Sequence, residues 1–397
     1  MMGVSVQSLN RRPLRPQLVV AAVLCALAGC VETLPPLTGT NSFEVSLTDS
    51  ISVGSKESRL AIIPTEAEIN VRAIGMDGEF DPSFSGKVQI RVHYLGSIGV
   101  PGDRGRPLAE VEVKAGIAEN VQVGLPTVYG PTVLWVDDAE NEQATLATGT
   151  SNPMWFRNPF LAEISTPAAG ESFNALSRSP LETKQVQVTE SRYGSRGRLV
   201  VTGVYPEGYT VSDVECQDDA GTPPCVAGAY DHLYVFAFGL STYEGGGSLE
   251  VGHTISGVSG PISEFNGLTE LSFPQTYATD QKVRLELVPE PALISGDSLA
   301  APIQMEKLEA GLIAVEDGKV CPLDQNYERF SQWKLDIGQG CSKGVAVISK
   351  GVVSGFDPAE FVGKSIPKVV GTLRPINLGR FNVWLMYPRN RDDLVLP

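Results

Sequence analysis

The sequence predicts an all-β protein, and three observations support this fold class. Glycine (41 residues) and proline (28 residues) make up about one residue in six of the 397, so turns are frequent. Aromatic residues account for 7%, and apolar residues alternate with polar ones in short runs. A hydrophobic fraction of 42% allows a packed core, and the length predicts two to four domains.

Short runs with a period of two fill the first third of the chain. Four runs alternate in this way: 67–74, 87–93, 110–114 and 132–136. Turn signals separate them, at Asp77-Gly78, Pro101-Gly102 and Asp137-Asp138. This pattern is typical of an antiparallel β-sandwich. Together with the segments 86–88 and 147–151 it resembles the immunoglobulin-like domains of bacterial surface proteins, and we assign residues 44–163 to an Ig-like sandwich.

The second half of the chain contains an internal repeat. Residues 251–262 align with residues 362–373 at an offset of 111, and Val, Gly, Ile, Val and Gly match at five positions. In each copy an alternating apolar run and a pair of cysteines precede the repeated segment. A period this long indicates duplicated domains rather than a solenoid.

Segments of both copies resemble the OB-fold (oligonucleotide/oligosaccharide-binding) modules that are attached to secreted bacterial nucleases. The most specific is Gly260-Pro-Ile-Ser-Glu-Phe265, in which Ile262 stands for the usual valine. The other matching segments are 199–204, 209–213, 233–236, 251–258, 263–271, 333–336, 362–373 and 387–394. The resemblance implies two OB-like β-barrels, which we place at 164–302, including a linker, and at 303–397.

Residues 1–29 resemble the signal peptide of a bacterial lipoprotein. Three arginines precede an apolar stretch, 18–27, that is too short to span a bilayer. It ends in Leu27-Ala28-Gly29-Cys30, which matches the lipobox, where cleavage precedes the cysteine and the thiol is acylated. The resemblance implies a lipid anchor at Cys30, with 30–43 as a tether, and Val31 favours the outer membrane. An ordinary signal peptide with a chance cysteine is the alternative.

Four cysteines follow in the mature chain, and an even number in an exported protein suggests disulfides. Three connectivities are possible. We choose Cys216–Cys225 and Cys321–Cys341, because each pair closes a short loop inside one proposed domain. Zinc is the rival interpretation, but the pairs lack C-x-x-C spacing and no histidine adjoins them. We expect neither a metal nor a cofactor.

Charge limits which partners the chain can bind. The net charge is −15, and Lys plus Arg against Asp plus Glu is 9 to 17 in 44–163 and 7 to 17 in 164–302. Residues 303–397 are nearly balanced, at 12 to 11. Because neutralised phosphates supply most non-specific affinity for nucleic acid, only this last segment is suited to bind a strand. The candidate binding residues are Lys364, Lys368, Arg374, Arg380, Trp384, Arg389 and Arg391.

No motif for catalysis is found, since Gly-x-Ser-x-Gly, HExxH and EF-hand patterns are absent from the sequence. We therefore expect a non-enzymatic, lipid-anchored envelope protein that binds or scaffolds a protein or glycan partner. The alternative is an accessory nucleic-acid-binding lipoprotein that acts with a separate secreted nuclease, although the charge makes nucleic acid the less expected partner. A hydrolase with an unrecognised site is a third class.

Overall fold

The computed structural model describes residues 39–48, 52–61, 65–94, 107–138, 147–168, 178–378 and 381–397. It confirms the all-β class, with 49% of residues in strands and 12% in helices. Cys30 and most of the proposed tether lie outside the described residues. The first strand begins at Thr40, inside the segment assigned to the tether, because Phe43 and Val45 alternate into the core of the first module.

The first module is a sheet that folds over on itself. Its strands are β1 (Thr40–Leu47), β2 (Thr65–Gly75), β3 (Gly86–Tyr94), β4 (Ala109–Val113), β5 (Ile117–Leu125), β6 (Pro131–Asp138), β7 (Thr148–Thr150) and β8 (Met154–Trp155). Their order is β4-β3-β6-β7-β1-β2-β5, with β8 beside β6. A parallel β1–β7 pairing joins the two layers, as in an Ig-like sandwich. A bridge between Lys114 and Ile117 nearly closes the sheet.

One turn predicted in this module is wrong. Asp137 and Asp138, taken as a turn signal in the sequence, both lie in β6. Asp137 is 1% exposed and pairs with Arg91, which faces it from β3. Both side chains lie on the face opposite the alternating apolar residues that form the core. The ion pair explains how an acidic residue is accommodated inside a buried strand.

A short helix, α1 (Leu161–Ser165), connects the sandwich to the next module. Glu163 binds the Arg157 guanidinium, with 2.6 Å between Oε1 and Nη2. Leu161 and Ile164 pack into the core of the following barrel rather than into the sandwich. The chain therefore leaves the sandwich core and enters the barrel core just before residue 163, where the sequence analysis placed the end of the sandwich. The helix at this point is too short to show a helical period in the sequence.

The second module, here called the first barrel, is a closed β-barrel. Its strands are β9 (Gln185–Val188), β10 (Gly197–Tyr205), β11 (Gly208–Glu215), β12 (Val226–Phe236), β13 (His253–Phe265), β14 (Leu268–Ser272) and β15 (Gln275–Val283). The order β10-β11-β12-β14-β13 closes through an antiparallel β10–β13 pairing, and β12 runs parallel to β14. This five-stranded arrangement is that of an OB-fold. Strands β9 and β15 pair with β13 in addition to these five strands.

The third module, here called the second barrel, repeats this topology. Its strands are β16 (Ala292–Leu293), β17 (Leu312–Val320), β18 (Gln332–Asp336), β19 (Val345–Ile348), β20 (Ser365–Leu378), β21 (Phe381–Tyr387) and β22 (Leu394–Val395). The order β17-β18-β19-β21-β20 closes through an antiparallel β17–β20 pairing, with β19 parallel to β21. Since β16 pairs with β17, this sheet begins before residue 303.

Three helices accompany the second barrel. They are α2 (Gly296–Leu299), α3 (Pro302–Glu306) and α4 (Gln325–Phe330). Helices α2 and α3 belong to the connection between the two barrels, and α4 lies between β17 and β18. The barrels contact each other directly, as the Tyr205 hydroxyl donates to Thr372 Oγ1 at 2.6 Å.

The internal repeat corresponds to the fourth strand of each barrel. Ile255 and Val258 on β13 lie in the first core, and Ile366 and Val369 on β20 occupy the matching places in the second. The second repeated glycine is Gly260 in one barrel and Gly371 in the other, and it has the same role in both. A Cβ at this position would collide with the fifth strand, at Ser272 or Tyr387. The repeat therefore marks the core positions of the fourth strand and the glycine that lets this strand pack closely on the fifth.

Both predicted disulfides are confirmed. Cys216–Cys225 joins the end of β11 to the start of β12. Cys321–Cys341 joins the end of β17 to the segment between β18 and β19. The two bridges are therefore not structurally equivalent, although both cysteine pairs precede a strand of the same kind in the sequence. The second bridge ties two connections of the second barrel to each other.

Candidate ligand-binding site

A pocket lies on the outer face of β18 and β19 in the second barrel, and we call it the β18–β19 pocket. On β18 the side chains of Trp333 and Leu335 point into the barrel core, so that Gln332 and Lys334 face outward. On β19 the outward residue at the pocket is Ala346. The outer face of strands two and three is the surface through which OB-folds bind oligonucleotides and oligosaccharides.

Loops on several sides give this face its depth. The volume is about 450 Å³, within the range of small-ligand sites. The lining residues are Leu299, Ala300, Asn326, Gln332, Lys334, Gln339, Ser342, Lys343, Gly344, Ala346, Val383 and Trp384. The disulfide fixes two of the walls, because Cys321 precedes the α4 connection that carries Asn326 and Cys341 precedes Ser342 and Lys343.

Trp384 supplies an aromatic surface at the edge of the pocket. It is half-buried and packs against the barrel core, so its position is held by the fold. Its neighbours in the lining offer hydrogen-bonding amides, of which Gln332 is 8% exposed. Tryptophan combined with side-chain amides suits a ligand that has both an apolar face and hydroxyl groups.

The charge of the pocket differs from that of the chain as a whole. Among the described residues, two lysines and no carboxylate line it, whereas the whole chain carries −15. Lys334 Nζ lies 3.4 Å from Asp324 Oδ2, just outside the lining. Partial burial opposes ionisation of Asp324, but the backbone N–H of Asn326 and the Lys334 ammonium outweigh it and lower its pKa. Lys343 is exposed, and a negatively charged ligand group would be attracted here.

Of the seven binding residues proposed from the sequence, Trp384 lines the pocket, and the five basic residues that the structure describes do not. Lys364 lies against the Phe361 ring, with 5.5 Å between Nζ and the centroid. Lys368 pairs with Glu316 at 3.9 Å on the exposed β17–β20 surface. Arg380 lies outside the described residues. Lys364 and Lys368 therefore do not form the predicted basic groove around Trp384.

Arg374 is enclosed by aromatic rings at the barrel interface. Its guanidinium carbon lies 4.3 Å from the ring centroid of Tyr205, 4.1 Å from that of Tyr234 and 4.5 Å from that of Tyr387. Two of these tyrosines belong to the first barrel and one to the second. Cation–π contacts of this kind stabilise the interface, so Arg374 has a structural role in joining the barrels.

The remaining two arginines also bond within the protein. Arg389 pairs with Asp393, with 2.7 Å between Nη2 and Oδ1, and donates across the barrel interface to the carbonyl of Thr202 at 3.1 Å. Arg391 donates to the carbonyl of Leu394 at 2.8 Å. The sequence analysis missed Lys334 and Lys343. The alternation of residues 332–336 could have identified Lys334, because it places this residue on the outward face of the strand.

A buried serine–histidine pair on the outer face of β11 and β12, opposite the core side chains of these strands, has a structural role. Ser212 Oγ lies 2.8 Å from His232 Nδ1, and the two residues are 0% and 5% exposed. Burial lowers the pKa of His232 to about 4, which keeps the ring neutral. Gly311 covers the imidazole so closely that a Cβ there would lie 2.6 Å from Nε2. The pair is therefore closed to a substrate in this arrangement.

Two further properties of the described residues bear on the site. Nowhere in that part of the chain do three or more His, Cys, Asp or Glu side chains gather so that they could hold a metal ion. Within the same residues, no helix has the length and apolar character needed to cross a bilayer.

Comparison with known proteins yields little. No protein-family model matches the chain, and neither does any curated protein. A similar solved structure is that of dimeric latent PorU from Porphyromonas gingivalis, at 9% identity and a TM-score of 0.19. The alignment covers 88% of this chain and 34% of PorU. A similarity this weak carries no argument about the fold or function of the chain.

Proposed function

We propose that this protein is a non-catalytic, lipid-anchored binding protein of the bacterial cell envelope, and that its β18–β19 pocket binds an acidic glycan. The observation that carries the proposal is the lining of the pocket. It combines an aromatic surface, amides and two lysines without a carboxylate, in a chain of net charge −15. The two disulfides fit an oxidising compartment outside the cytoplasm.

A sugar ring matches this lining in three ways. Its apolar face packs on an aromatic ring such as Trp384. Its hydroxyls exchange hydrogen bonds with the side-chain amides of Gln332 and Gln339, which both donate and accept. A carboxylate on the sugar pairs with Lys343, which is exposed and lines the pocket. The glycan class therefore uses all the chemistry that the pocket offers.

Single-stranded nucleic acid fits the same surface less well. Strand-binding grooves combine several stacking aromatics with a continuous line of positive charge. The β18–β19 pocket offers one half-buried tryptophan, and Arg374 and Arg389 bond within the barrel interface. The surrounding modules are acidic. We therefore keep the nucleic-acid alternative as an outcome of the binding experiment.

The first test is a binding titration of the mature full-length chain with a galacturonic acid hexamer, with maltohexaose as the neutral comparison. We expect Lys343→Ala to weaken binding of the acidic hexamer by about tenfold, since loss of a charge-assisted contact costs about 1.4 kcal/mol. Lys364→Ala is the matched control, because Lys364 belongs to the same barrel but lies against Phe361, outside the pocket lining. It should leave the affinity unchanged.

Each other outcome of this titration has a defined meaning. Failure of the wild-type chain to bind either hexamer at millimolar concentration would contradict the proposed ligand class. Equal losses in Lys343→Ala and Lys364→Ala would place the binding outside the pocket. Micromolar binding of a short single-stranded oligonucleotide, lost in Lys343→Ala, would favour the nucleic-acid alternative over the glycan.

The lipid anchor is tested separately. Leu27-Ala28-Gly29-Cys30 motivates the expectation that Cys30→Ala abolishes acylation and moves the protein from the membrane fraction to the soluble fraction. The reason is that two or more acyl chains give lasting anchorage, and Cys30→Ala removes the thiol to which they would be attached. Metabolic labelling with a palmitate analogue and fractionation measure both effects. Unchanged fractionation together with an unlabelled wild-type protein would disprove the anchor.

A further inference from the structure

Three glutamate side chains, two of them buried and one half-buried, lie within electrostatic range of one another where the first barrel contacts the connection to the second. We call them the glutamate cluster: Glu264 on β13, Glu306 at the end of α3, and Glu309 just after α3. Glu306 is 3% exposed and Glu309 is 6% exposed. Charged groups are rarely buried to this extent without a partner of opposite charge.

Hydrogen bonds satisfy only part of the cluster. Glu264 Oε1 accepts from the Ser179 N–H at 2.9 Å and from Thr269 Oγ1 at 2.8 Å. Glu309 Oε1 accepts from the Thr269 N–H at 2.8 Å. Among the described residues, the Oε2 atoms of all three glutamates are buried and have no hydrogen-bond partner. A carboxyl group in such a place is far less costly when protonated than when ionised.

The charges that the structure describes around the cluster do not compensate it. Arg178 attracts Glu264, but it is itself paired with Glu182 at 3.1 Å and is largely exposed. Burial, and then the charge of Glu264, raises the pKa of Glu306 to about 8. Burial, and then the charge of Glu306, holds the pKa of Glu309 well above its usual value. Burial also raises the pKa of Glu264.

The cluster is mechanically connected to the β18–β19 pocket. Leu299 at the end of α2 and Ala300 form one wall of the pocket, and α3 with Glu306 follows directly. Beyond Glu309 the chain is held by the second barrel, where Ala310 N–H donates to the carbonyl of Leu373 at 2.8 Å. The connection 296–311 therefore runs from the pocket wall, past the cluster, to the barrel interface.

We propose that protons bound by the glutamate cluster hold the connection 296–311 against the first barrel, and that loss of these protons as the pH rises releases it and weakens ligand binding at the β18–β19 pocket. The part that concerns ligand binding rests on the proposed function. The part that concerns the connection depends only on the buried cluster and its contacts with β13 and β14. The device makes the pocket wall responsive to the pH of its surroundings.

The direction of the pH dependence follows from linkage. We call the connection 296–311 closed when it is held against the first barrel and open when it is released. In the open state the carboxyls titrate near their usual value of 4.5, whereas in the closed state Glu306 keeps its proton up to a pH of about 8. The open state therefore binds fewer protons between these values, and the closed state loses stability as the pH rises across this window. The open population increases by up to about tenfold per pH unit for each carboxyl that must give up its proton.

Hydrogen exchange of the mature full-length chain tests the device without a ligand. Exchange of the amides in 296–311, corrected for the intrinsic effect of pH, should accelerate between pH 5 and pH 8 in the wild type. The double variant Glu306→Gln/Glu309→Gln cannot ionise at these positions, and its corrected exchange should change much less with pH, since only Glu264 of the cluster still titrates. Glu316→Gln is the control, because it removes an exposed carboxyl on β17 of the second barrel, outside the cluster. Its corrected exchange should depend on pH as that of the wild type does.

The outcomes separate this inference from the proposed function. Equal pH dependence in the wild type and the double variant would overturn the proton device, and Glu306→Gln alone provides the same comparison if the double variant does not fold. Affinity for the galacturonic acid hexamer should fall between pH 5.5 and pH 8.5 in the wild type, and by much less in the double variant. A chain that shows the exchange effect but binds no glycan at either pH would retain the proton device and exclude the proposed ligand.

Discussion

Asp137→Ala should lower the free energy of unfolding by about 3–5 kcal/mol, because removal of one partner from a buried ion pair leaves the other charge uncompensated. Asp137 is 1% exposed and Arg91 is 7% exposed. The Arg91 guanidinium also bonds to Gln89 on the same strand, but a neutral amide cannot replace a carboxylate. Equilibrium denaturation of the mature chain, followed by a signal from the sandwich, measures the change.

The same sheet provides a matched control for this prediction. Lys87 and Glu110 form an ion pair between β3 and β4 with 2.7 Å between Nζ and Oε1, and the two side chains are 54% and 47% exposed. Glu110→Ala should cost less than about 1 kcal/mol, as exposed pairs do. The double variant Arg91→Met/Asp137→Leu should recover most of the stability, since no charge remains buried. Equal costs for Asp137→Ala and Glu110→Ala would show that burial does not set the energy of the pair.

The features that the sequence predicted well are those encoded by short-range patterns. Alternation identified the strands of the sandwich core, because the side chains of a strand point to opposite faces in turn. The repeat at 251–262 and 362–373 identified the duplicated barrels, because Ile, Val and Gly of the fourth strand face the same environment in both copies. The local disulfide pairing followed from the short loops that it closes.

Other features depend on contacts between residues that are distant in sequence. Asp137 looks like a turn residue until Arg91, 46 positions earlier, is placed opposite it. Arg374 and Arg389 look like surface cations until the first barrel supplies Tyr205, Tyr234 and the carbonyl of Thr202. Composition and spacing carry no information about such partners, so these arginines were assigned to a groove rather than to an interface.

The candidate site was predictable only in part for the same reason. Trp384 was identified from its residue type within a proposed OB-like module. Lys343 was not, because it follows a disulfide that brings the connection after β18 close to the one that precedes it. The glutamate cluster was also missed, since Glu264 and Glu306 are distant in sequence and their charges interact only in the folded chain. These sites are products of tertiary structure.

Removal of the Cys321–Cys341 disulfide should lower both the stability of the second barrel and the affinity of its pocket. The bridge spans 20 positions, and closing a loop of this size contributes about 3 kcal/mol in the chain-entropy model. In Cys321→Ser/Cys341→Ser the α4 connection and the segment around Lys343 are no longer tied together. Ligand binding must then order a few loop side chains that the bridge no longer holds in place. This costs about 1.4 kcal/mol, which corresponds to about tenfold in affinity.

The other disulfide separates the effect on the pocket from a general loss of stability. Cys216–Cys225 spans 9 positions in the first barrel, and none of the residues that line the pocket adjoins it. Cys216→Ser/Cys225→Ser should therefore destabilise its own barrel but leave the affinity for the galacturonic acid hexamer unchanged. Denaturation curves and titrations of both double variants give the comparison. If both variants lose affinity equally, the bridge at Cys321 does not shape the pocket directly, and the pocket depends instead on the overall stability of the two barrels.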